Sequence, residues 1–291
     1  MKKCSSCKNN KNNNNNSNNN NNTNKKFSKK QRQPHFGNNH NTIFPNNKVP
    51  DLNGVKLSNP KNCNQEMVLD LGKVYANRYV LYYGSTKKDL SEYNHVKNSN
   101  QAYNDFRNNG IAKLDAKGKS QVKFRCPQVY KEGGKTVLPH IHYIVAKKGN
   151  KEWNNKLKVK EVVCEVNYVE LKDMIKNRCA LILNALPIEY YIMDRIPMSV
   201  PLPHDLVMKK LNAKQVLKYI KEVLPHASKI HKAVISGKMD LMDIPIVSYC
   251  YDEGCAADRD LQEKMVKIGF KNVKLYSPGI KGWLKNSKNK K

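Results

Sequence analysis

The spacing of hydrophobic residues changes twice along the chain and divides it into three regions. Residues 1–60 contain few apolar side chains, residues 61–167 alternate apolar and polar positions over short runs, and residues 168–287 mix helical spacing with short apolar runs. Alternation predicts strands, and apolar residues three or four positions apart predict helices. We therefore predict a disordered tail, a small β-sandwich and an α/β domain with a parallel sheet.

The middle region has the pattern of short strands. In QVKFRC, Val122, Phe124 and Cys126 lie on one face of a strand, and the two basic residues between them lie on the other. The runs LPHIHYIVA and KLKVKEVVCEV are similar, and Asp115-Ala-Lys-Gly118 is typical of a turn. Short strands separated by turns favour a sandwich of two sheets.

The C-terminal region alternates predicted helices with predicted strands. The run AKQVLKYIKEVL places Val216, Leu217, Ile220 and Leu224 on one helical stripe, and Pro225 ends the helix. The runs ALIL, PIVSYC and NVKLY predict short buried strands between the helices. This alternation predicts a parallel sheet covered by helices.

The tail is strongly basic and rich in asparagine. Its first 60 residues contain eleven Lys or Arg residues and a single acid, Asp51. A segment with so few apolar side chains cannot bury enough surface to offset the entropy that it loses on ordering. The net charge of +29 for the whole chain favours an anionic partner for this tail. The alternative is that an A/T-rich genome inflates both Lys and Asn, and the asparagine tract at residues 12–22 supports that alternative.

The lengths of the apolar runs and the number of cysteines predict the cellular compartment of the protein. The N-terminus lacks the apolar segment of a secretory signal, and no run of about 18 apolar residues is long enough to span a membrane. We therefore expect a cytoplasmic protein whose eight cysteines are reduced thiols. Cys4 and Cys7 form a CxxC pair, but a structural zinc site needs a second pair of ligands, for which only the distant His35 and His40 are available.

Cys250 stands where a predicted strand gives way to a charged loop and then to a helix. Ala257, Leu261 and Met265 repeat every four residues along that helix. Open α/β sheets bind ligands at the carboxyl ends of their strands. Loop amides and the helix N-terminus would stabilise a Cys250 thiolate and make it a nucleophile. The alternative is a small buried cysteine at a strand end.

Two groups of residues in this region resemble the rhodanese, or sulfurtransferase, domain. After its active cysteine, that family continues with an amphipathic helix and the pattern GF-NV--Y-GG---W. The residues that match it in order are Gly269, Phe270, Asn272, Val273, Tyr276, Gly279 and Trp283. The family's upstream pattern, which includes HIPGA-N-P, is matched by Glu189, Tyr191, Ile196, Pro197, Leu202 and Pro203. The resemblance implies a rhodanese-like α/β domain over residues 168–287.

The same region departs from the rhodanese pattern at charged positions. The family's aspartate falls on Asn184, and the arginine that follows it falls on Leu186. Many rhodaneses close the active loop with an arginine five residues after the cysteine, and that position is Cys255 here. These departures put the activity in doubt without excluding it.

Cys250 and Cys255 are the catalytic residues that the resemblance implies. Cys250 would accept a sulfane sulfur from a donor as a persulfide and pass it to an acceptor thiol. Cys255 would resolve that persulfide or form a disulfide with Cys250 under oxidation. Asp252 and Glu253 would oppose the Cys250 thiolate, and the loop contains no arginine to offset their charges.

The segment VLPHIHYIV contains the second candidate site. His140 and His142 lie two residues apart on a predicted strand and therefore point to the same face, where they would ligate one metal ion. Two histidines alone are more often a polar ladder on a strand than a metal site.

This segment, together with GIAKLDAKGK before it, resembles the metal-binding half of intradiol ring-cleavage dioxygenases. The resemblance implies a dioxygenase-like β-sandwich over residues 61–167 and a ferric ion, Fe(III), held by two tyrosines and two histidines. Three of these ligands are matched residue by residue, by Tyr130, His140 and His142. The fourth would be Tyr103 or Tyr93. Val137 stands where the family has a catalytic arginine, which argues against ring cleavage.

Two hypotheses for the whole chain follow. In the first, the protein is a rhodanese-like sulfurtransferase whose partners are sulfur donors and acceptor thiols, with an appended, degenerate dioxygenase-like domain. In the second, both domains have lost catalysis and the protein is a structural or interaction protein, for which the asparagine tract suggests a component packaged in the virion of a large DNA virus. The altered charged positions favour the second hypothesis, and the position of Cys250 favours the first.

Overall fold

The structure is a computed structural model that describes residues 49–86, 99–103, 106–133 and 135–288. Leu52 is buried, and the indole Nε1–H of Trp153 donates to the Pro50 carbonyl at 2.7 Å. The end of the predicted tail, at residue 60, therefore lies too far along the chain, because the segment that starts at residue 49 packs on the domain that follows. Cys4 and Cys7 lie outside the described residues.

The first domain consists of antiparallel strands and one short helix. Its elements are β1 (Gln65–Asp70), β2 (Tyr79–Gly84), α1 (Ser99–Ala102), β3 (Asn109–Lys113), β4 (Lys119–Phe124), β5 (Tyr130–Glu132), β6 (Lys135–Val137), β7 (His140–Val145) and β8 (Lys158–Glu161). The strands β3, β2, β7 and β8 form one sheet in that order, β1 pairs with β4, and β5 pairs with β6. The predicted strands are present, but a complete β-sandwich is not confirmed.

Strand β2 is buried on both of its faces. Val80 and Tyr82 pack in a cluster with the apolar side chains of β1 and β4. Leu81 and Tyr83, on the opposite face, pack in a second cluster that includes Tyr103. A central strand covered on both sides consists almost entirely of apolar or aromatic residues, as YVLYYG does. The second cluster is the one that brings tyrosines next to the histidines of β7.

The second domain is built on a four-stranded parallel sheet. Its elements are α2 (Tyr168–Asn177), β9 (Leu181–Asn184), α3 (Ile188–Met193), β10 (Ser199–Pro201), α4 (His204–Lys209), α5 (Ala213–Val223), α6 (Ser228–Ile235), β11 (Ile246–Tyr249), α7 (Ala257–Ile268), β12 (Val273–Leu275) and α8 (Gly279–Lys288). The strand order is β10-β9-β11-β12, and each neighbouring pair is parallel. The predicted parallel sheet is confirmed. Strand β10 was not predicted.

Local sequence signals explain where two of these helices begin. The Asn167 side chain accepts the Glu170 N–H, and the Glu170 carboxylate accepts the Asn167 N–H, which forms a capping box before α2. Asn212 and Gln215 form the same arrangement before α5. None of the helices in the described part of the chain combines the length and the hydropathy that a membrane-spanning helix requires.

Residues 164–166 join the two domains by extending the parallel sheet. The Leu275 N–H donates to the Cys164 carbonyl at 3.0 Å, and the Val166 N–H donates to the Leu275 carbonyl at 2.8 Å. Cys164 also forms a disulfide with Cys126 of the first domain, with their Cα atoms 5.6 Å apart. The expectation that the cysteines are reduced thiols is wrong for this pair and, within the described part of the chain, for every other cysteine except Cys63. The domains are therefore joined by a covalent bond and by a shared sheet edge.

Candidate functional site

Cys250 lies at the carboxyl end of β11, between β9 and β12. The Ala185 N–H donates to the Tyr249 carbonyl at 2.9 Å, so that the ladder between β9 and β11 continues up to the residue before the cysteine. The Cys250 side chain is buried, with 1% of its surface exposed. A loop of six residues then leads to α7. The strand, loop and helix stand in the predicted order.

The N-terminus of α8 holds the first part of the loop. The Ile280 N–H donates to the Cys250 carbonyl at 3.0 Å, and the Lys281 N–H donates to the Tyr251 carbonyl at 3.0 Å. Gly279 allows this close approach because it adopts a φ of +59° and has no side chain to meet the two carbonyl groups. Two amides that a helix N-terminus leaves without helical partners are thus used to fix the loop.

The second half of the loop brings Cys255 to Cys250. The two cysteines form a disulfide, with their Cα atoms 6.1 Å apart. The Asp252 carboxylate accepts the Gly254 N–H at 3.1 Å, and the Asp252 carbonyl accepts the Cys255 N–H at 3.1 Å. We expected the loop amides to stabilise an anion at Cys250, but two of them bind Asp252 instead. The predicted disulfide between Cys250 and Cys255 is present.

Lys281 is the residue of this site that sequence reasoning missed. Its Nζ lies 3.3 Å from the Asp252 carboxylate and 6.0 Å from the centre of the Tyr251 ring. The loop therefore has a cation beside one of its two carboxylates, although the sequence of the loop contains none. Nothing local in the sequence pairs these residues, since they are 29 positions apart.

A buried polar network lies beneath the cysteine. The Tyr249 hydroxyl accepts from the Asn184 side-chain amide at 2.7 Å and from the Ile196 N–H at 3.1 Å, and it lies 2.9 Å from the Ser199 hydroxyl. The Asn184 side-chain oxygen accepts the Leu186 N–H at 2.7 Å. Burial raises the pKa of Tyr249. Asn184 therefore ties the ends of β9 and β11 together.

The four predicted metal ligands converge in the first domain. Tyr103 follows α1, Tyr130 begins β5, and His140 and His142 lie on one face of β7. The Nε2 atom of His140 is 3.0 Å from the Tyr103 hydroxyl, 3.3 Å from the Tyr130 hydroxyl and 3.2 Å from Nε2 of His142. The structure therefore brings Tyr103 to the predicted site, while Tyr93 lies outside the described residues.

The protonation state of His140 determines which of its ring nitrogens carries a lone pair. Its Nδ1–H donates to the Leu138 carbonyl at 2.7 Å, and burial lowers its pKa, so the ring is neutral and Nε2 carries a lone pair. One lone pair faces three polar atoms within 3.3 Å. Ligands about 2.0 to 2.1 Å from a tetrahedral metal ion lie about 3.3 Å from one another. The three distances from His140 Nε2 are no longer than this.

Two contacts around the cluster hold its histidine rings in place. A histidine ligand usually donates its other ring N–H to a carbonyl or carboxylate, as His140 does here. Tyr83, which sequence reasoning missed, stacks on His142 with the ring centres 5.0 Å apart and thereby fixes the orientation of the imidazole. Within the described ranges, no group of three or more His, Cys, Asp or Glu side chains is placed to hold a metal ion. Any metal site in this cluster therefore depends on its phenols.

A family comparison matches the C-terminal domain. Residues 167–286 match the family model described as Rhodanese-like domain, which confirms the prediction of a rhodanese-like domain in this part of the chain. The match begins at residue 167 and lends no support to a dioxygenase-like domain before it. No curated protein matches the chain.

Several solved structures are similar to part of the chain. A protein of Bacillus halodurans has 20% identity and a TM-score of 0.30, covering 43% of this chain and 73% of its own. The human single domain sulfurtransferase has 13% identity and a TM-score of 0.30, covering 43% of this chain and 97% of its own. A protein of Saccharomyces cerevisiae has 14% identity and a TM-score of 0.32, covering 44% of this chain and 97% of its own. These likenesses add nothing to the family match.

Removing the hydroxyl of Tyr249 tests the buried network. The substitution Tyr249→Phe leaves the buried Ile196 N–H and the Asn184 amide without their acceptor, and we expect it to lower the free energy of unfolding by about 2 kcal/mol. The change Tyr190→Phe, at an exposed tyrosine, is the matched control and should have no measurable effect. Urea denaturation measures both. Equal stability of the two variants would contradict the role assigned to the network.

Adding a methyl group at Gly279 tests the contact between α8 and the loop. A Cβ atom there would lie 2.6 Å from the Cys250 carbonyl oxygen, so Gly279→Ala should cost about 3 kcal/mol. Gly237 has a similar φ of +69° but no atom within 4 Å of an added Cβ, and Gly237→Ala should cost only about 1 kcal/mol. Thermal or urea unfolding measures the loss of stability in each variant. The difference between the two losses is the cost of the clash with the loop, since both variants share the cost of a positive φ.

Proposed function

We propose that the C-terminal domain is a sulfurtransferase in which Cys250 carries sulfane sulfur as a persulfide. The observation that supports this proposal is the placement of Cys250 at the carboxyl end of β11, in a loop fixed by α8 and followed by the N-terminus of α7. Ligand sites of open α/β sheets lie at such strand ends. The family match to a rhodanese-like domain covers the same residues.

The first step of the proposed reaction loads sulfur on Cys250. The Cys250 thiolate attacks the outer sulfur of a donor such as thiosulfate, a bond forms between the two sulfurs, and sulfite leaves with the electron pair of the broken sulfur–sulfur bond. The outer sulfur then remains on Cys250 as a persulfide. An acceptor thiolate takes this sulfur in the transfer reaction and returns Cys250 to the thiolate.

A second fate of the persulfide follows from the position of Cys255. The Cys255 thiol attacks the Cys250 sulfur, a disulfide forms, and the outer sulfur leaves as hydrosulfide while Cys255 gives up its proton. The two cysteines are oxidised and the sulfane sulfur is reduced. A dithiol reductant must then reduce the disulfide before the next cycle. The disulfide between Cys250 and Cys255 supports this route, because the two sulfur atoms reach one another within the loop.

Mass spectrometry of the loaded protein tests the sulfur-carrying role. After reduction, removal of the reductant and treatment with thiosulfate, Cys255→Ser should gain the mass of one sulfur atom, because its persulfide has no resolving thiol. The wild type should lose two hydrogen atoms and release one hydrosulfide. Cys250→Ser should remain unchanged, and Cys63→Ser, at a cysteine outside the loop, should behave as the wild type does.

The alternative to this function is a domain that binds partners without catalysis. If no variant gains a sulfur atom from thiosulfate or from a low-molecular-weight persulfide, that alternative is the one to retain. A sulfur atom found on a cysteine other than Cys250 would also contradict the proposal.

A second candidate function is metal binding by Tyr103, Tyr130, His140 and His142. It is favoured by the three polar atoms around Nε2 of His140 and by the distances between them. Phenolate oxygens and imidazole nitrogens suit Fe(III), which supplies Lewis acidity when bound. Burial raises the pKa of Tyr130 to about 12 and that of Tyr103 well above 10.0, so both phenols are protonated at neutral pH in the absence of a cation.

Iron binding has a direct optical test. Addition of Fe(III) to the full chain should produce a visible tyrosinate-to-iron band that is lost in His140→Ala and Tyr130→Phe. Tyr143→Phe is the matched control, because Tyr143 lies on the same strand but packs in the other cluster, and it should keep the band. Binding should tighten as the pH rises, since the Tyr130 proton must leave. A protein that shows no bound metal by elemental analysis after iron supplementation would contradict this function.

A further inference from the structure

Asp252 is the residue on which the conformation of the Cys250 loop depends. One oxygen of its carboxylate accepts the Gly254 N–H at 3.1 Å, the other lies 3.3 Å from Lys281 Nζ, and its backbone carbonyl accepts the Cys255 N–H at 3.1 Å. All three contacts lie between the two cysteines or tie that stretch to α8. Asp252 therefore determines where Cys255 lies relative to Cys250.

Lys281 provides a fixed point for this carboxylate. Its own N–H donates to the Tyr251 carbonyl, one residue before Asp252, so the backbone and the side chain of Lys281 hold adjacent residues of the loop. The helix that carries Lys281 is anchored in the core by Ile280 and Trp283, which are both buried. A loop held in this way moves with the core of the domain.

We propose that Asp252 and Lys281 form a clasp that positions Cys255 for attack on a Cys250 persulfide. This inference rests on the proposed sulfur-carrying function of Cys250. Lys281 and Asp252 are positioning residues, since the pair acts through Cys255, and the step that it favours is the formation of the disulfide with release of hydrosulfide. The clasp thus directs sulfur toward hydrosulfide release and away from transfer to a second thiol.

The exposure of the pair distinguishes this role from a contribution to overall stability. The Lys281 side chain is 66% exposed and that of Asp252 is 34% exposed. Ion pairs with such exposure contribute little to the stability of a fold. Loss of the pair should therefore leave the melting temperature unchanged and alter only the fraction of loops in which Cys255 faces Cys250. By the strength of exposed ion pairs, that change amounts to roughly two- to fivefold.

A single time course on the full chain separates loading from release. The reduced protein is mixed with thiosulfate in the absence of reductant, and sulfite and hydrosulfide are measured together. Sulfite reports the loading of Cys250, and hydrosulfide reports the attack by Cys255. In Lys281→Met, the release of hydrosulfide relative to sulfite should slow roughly two- to fivefold, and Lys281→Arg should restore it, because the arginine keeps the charge.

The control and the remaining outcomes make the test decisive. Lys285→Met removes a lysine one turn further along α8 and should behave as the wild type does. Asp252→Ala, which removes both side-chain contacts, should slow release more than Lys281→Met. Loading with unchanged release in Lys281→Met, or no rescue by Lys281→Arg, would overturn the clasp. Absence of sulfite from every variant, together with no gain of sulfur by Cys255→Ser, would instead overturn the sulfur-carrying function.

Discussion

Two hydrogen bonds from the first turn of α8 to the carbonyls of Cys250 and Tyr251 fix the loop that contains Cys250. They satisfy helical amides that would otherwise lack partners, and they hold the chain at the point where it leaves the parallel sheet. Since Ile280 and Trp283 bury α8 against the core, the loop takes its rigidity from the packing of the whole domain. A cysteine on a loop without such contacts would lack this support.

The two candidate sites satisfy buried polar groups in different ways. In the C-terminal domain, the Tyr249 hydroxyl has three partners within the protein, and each of them is well placed to bond it. In the first domain, Nε2 of His140 has the hydroxyls of Tyr103 and Tyr130 and Nε2 of His142 within 3.3 Å, and the two phenols also bond to each other. The first network ties side chains to the backbone of neighbouring segments, whereas the second gathers ring side chains from the end of α1, from β5 and from β7 around one nitrogen.

The parts of the structure that could be predicted from the sequence depend on neighbours along the chain. The strand before Cys250 and the helix after it follow from one stretch of about 20 residues, in which a short apolar run gives way to apolar residues at helical spacing. Lys281 could not be predicted, because its partner is 29 residues away and only the packing of α8 brings them together.

The same distinction applies to the tyrosine and histidine cluster. His140 and His142 share a face by the geometry of one strand. Tyr103 could not be separated from Tyr93 by any local pattern, and Tyr83 lies in an apolar strand whose sequence indicates only a buried core. Strand β10 could not be predicted, because its three residues, the last of which is a proline, are too few to show an alternation of apolar and polar positions.

The Cys126–Cys164 disulfide closes a covalent ring of which Tyr130, His140 and His142 are all members. Closing a loop with a sequence separation of 38 residues disfavours the unfolded chain by about 4 kcal/mol in the chain-entropy description. A protease that cuts one peptide bond inside this ring does not divide the molecule, since the two pieces remain joined through sulfur. Tyr130, His140 and His142 would then still belong to one covalently joined molecule, although the peptide chain inside the ring is cut.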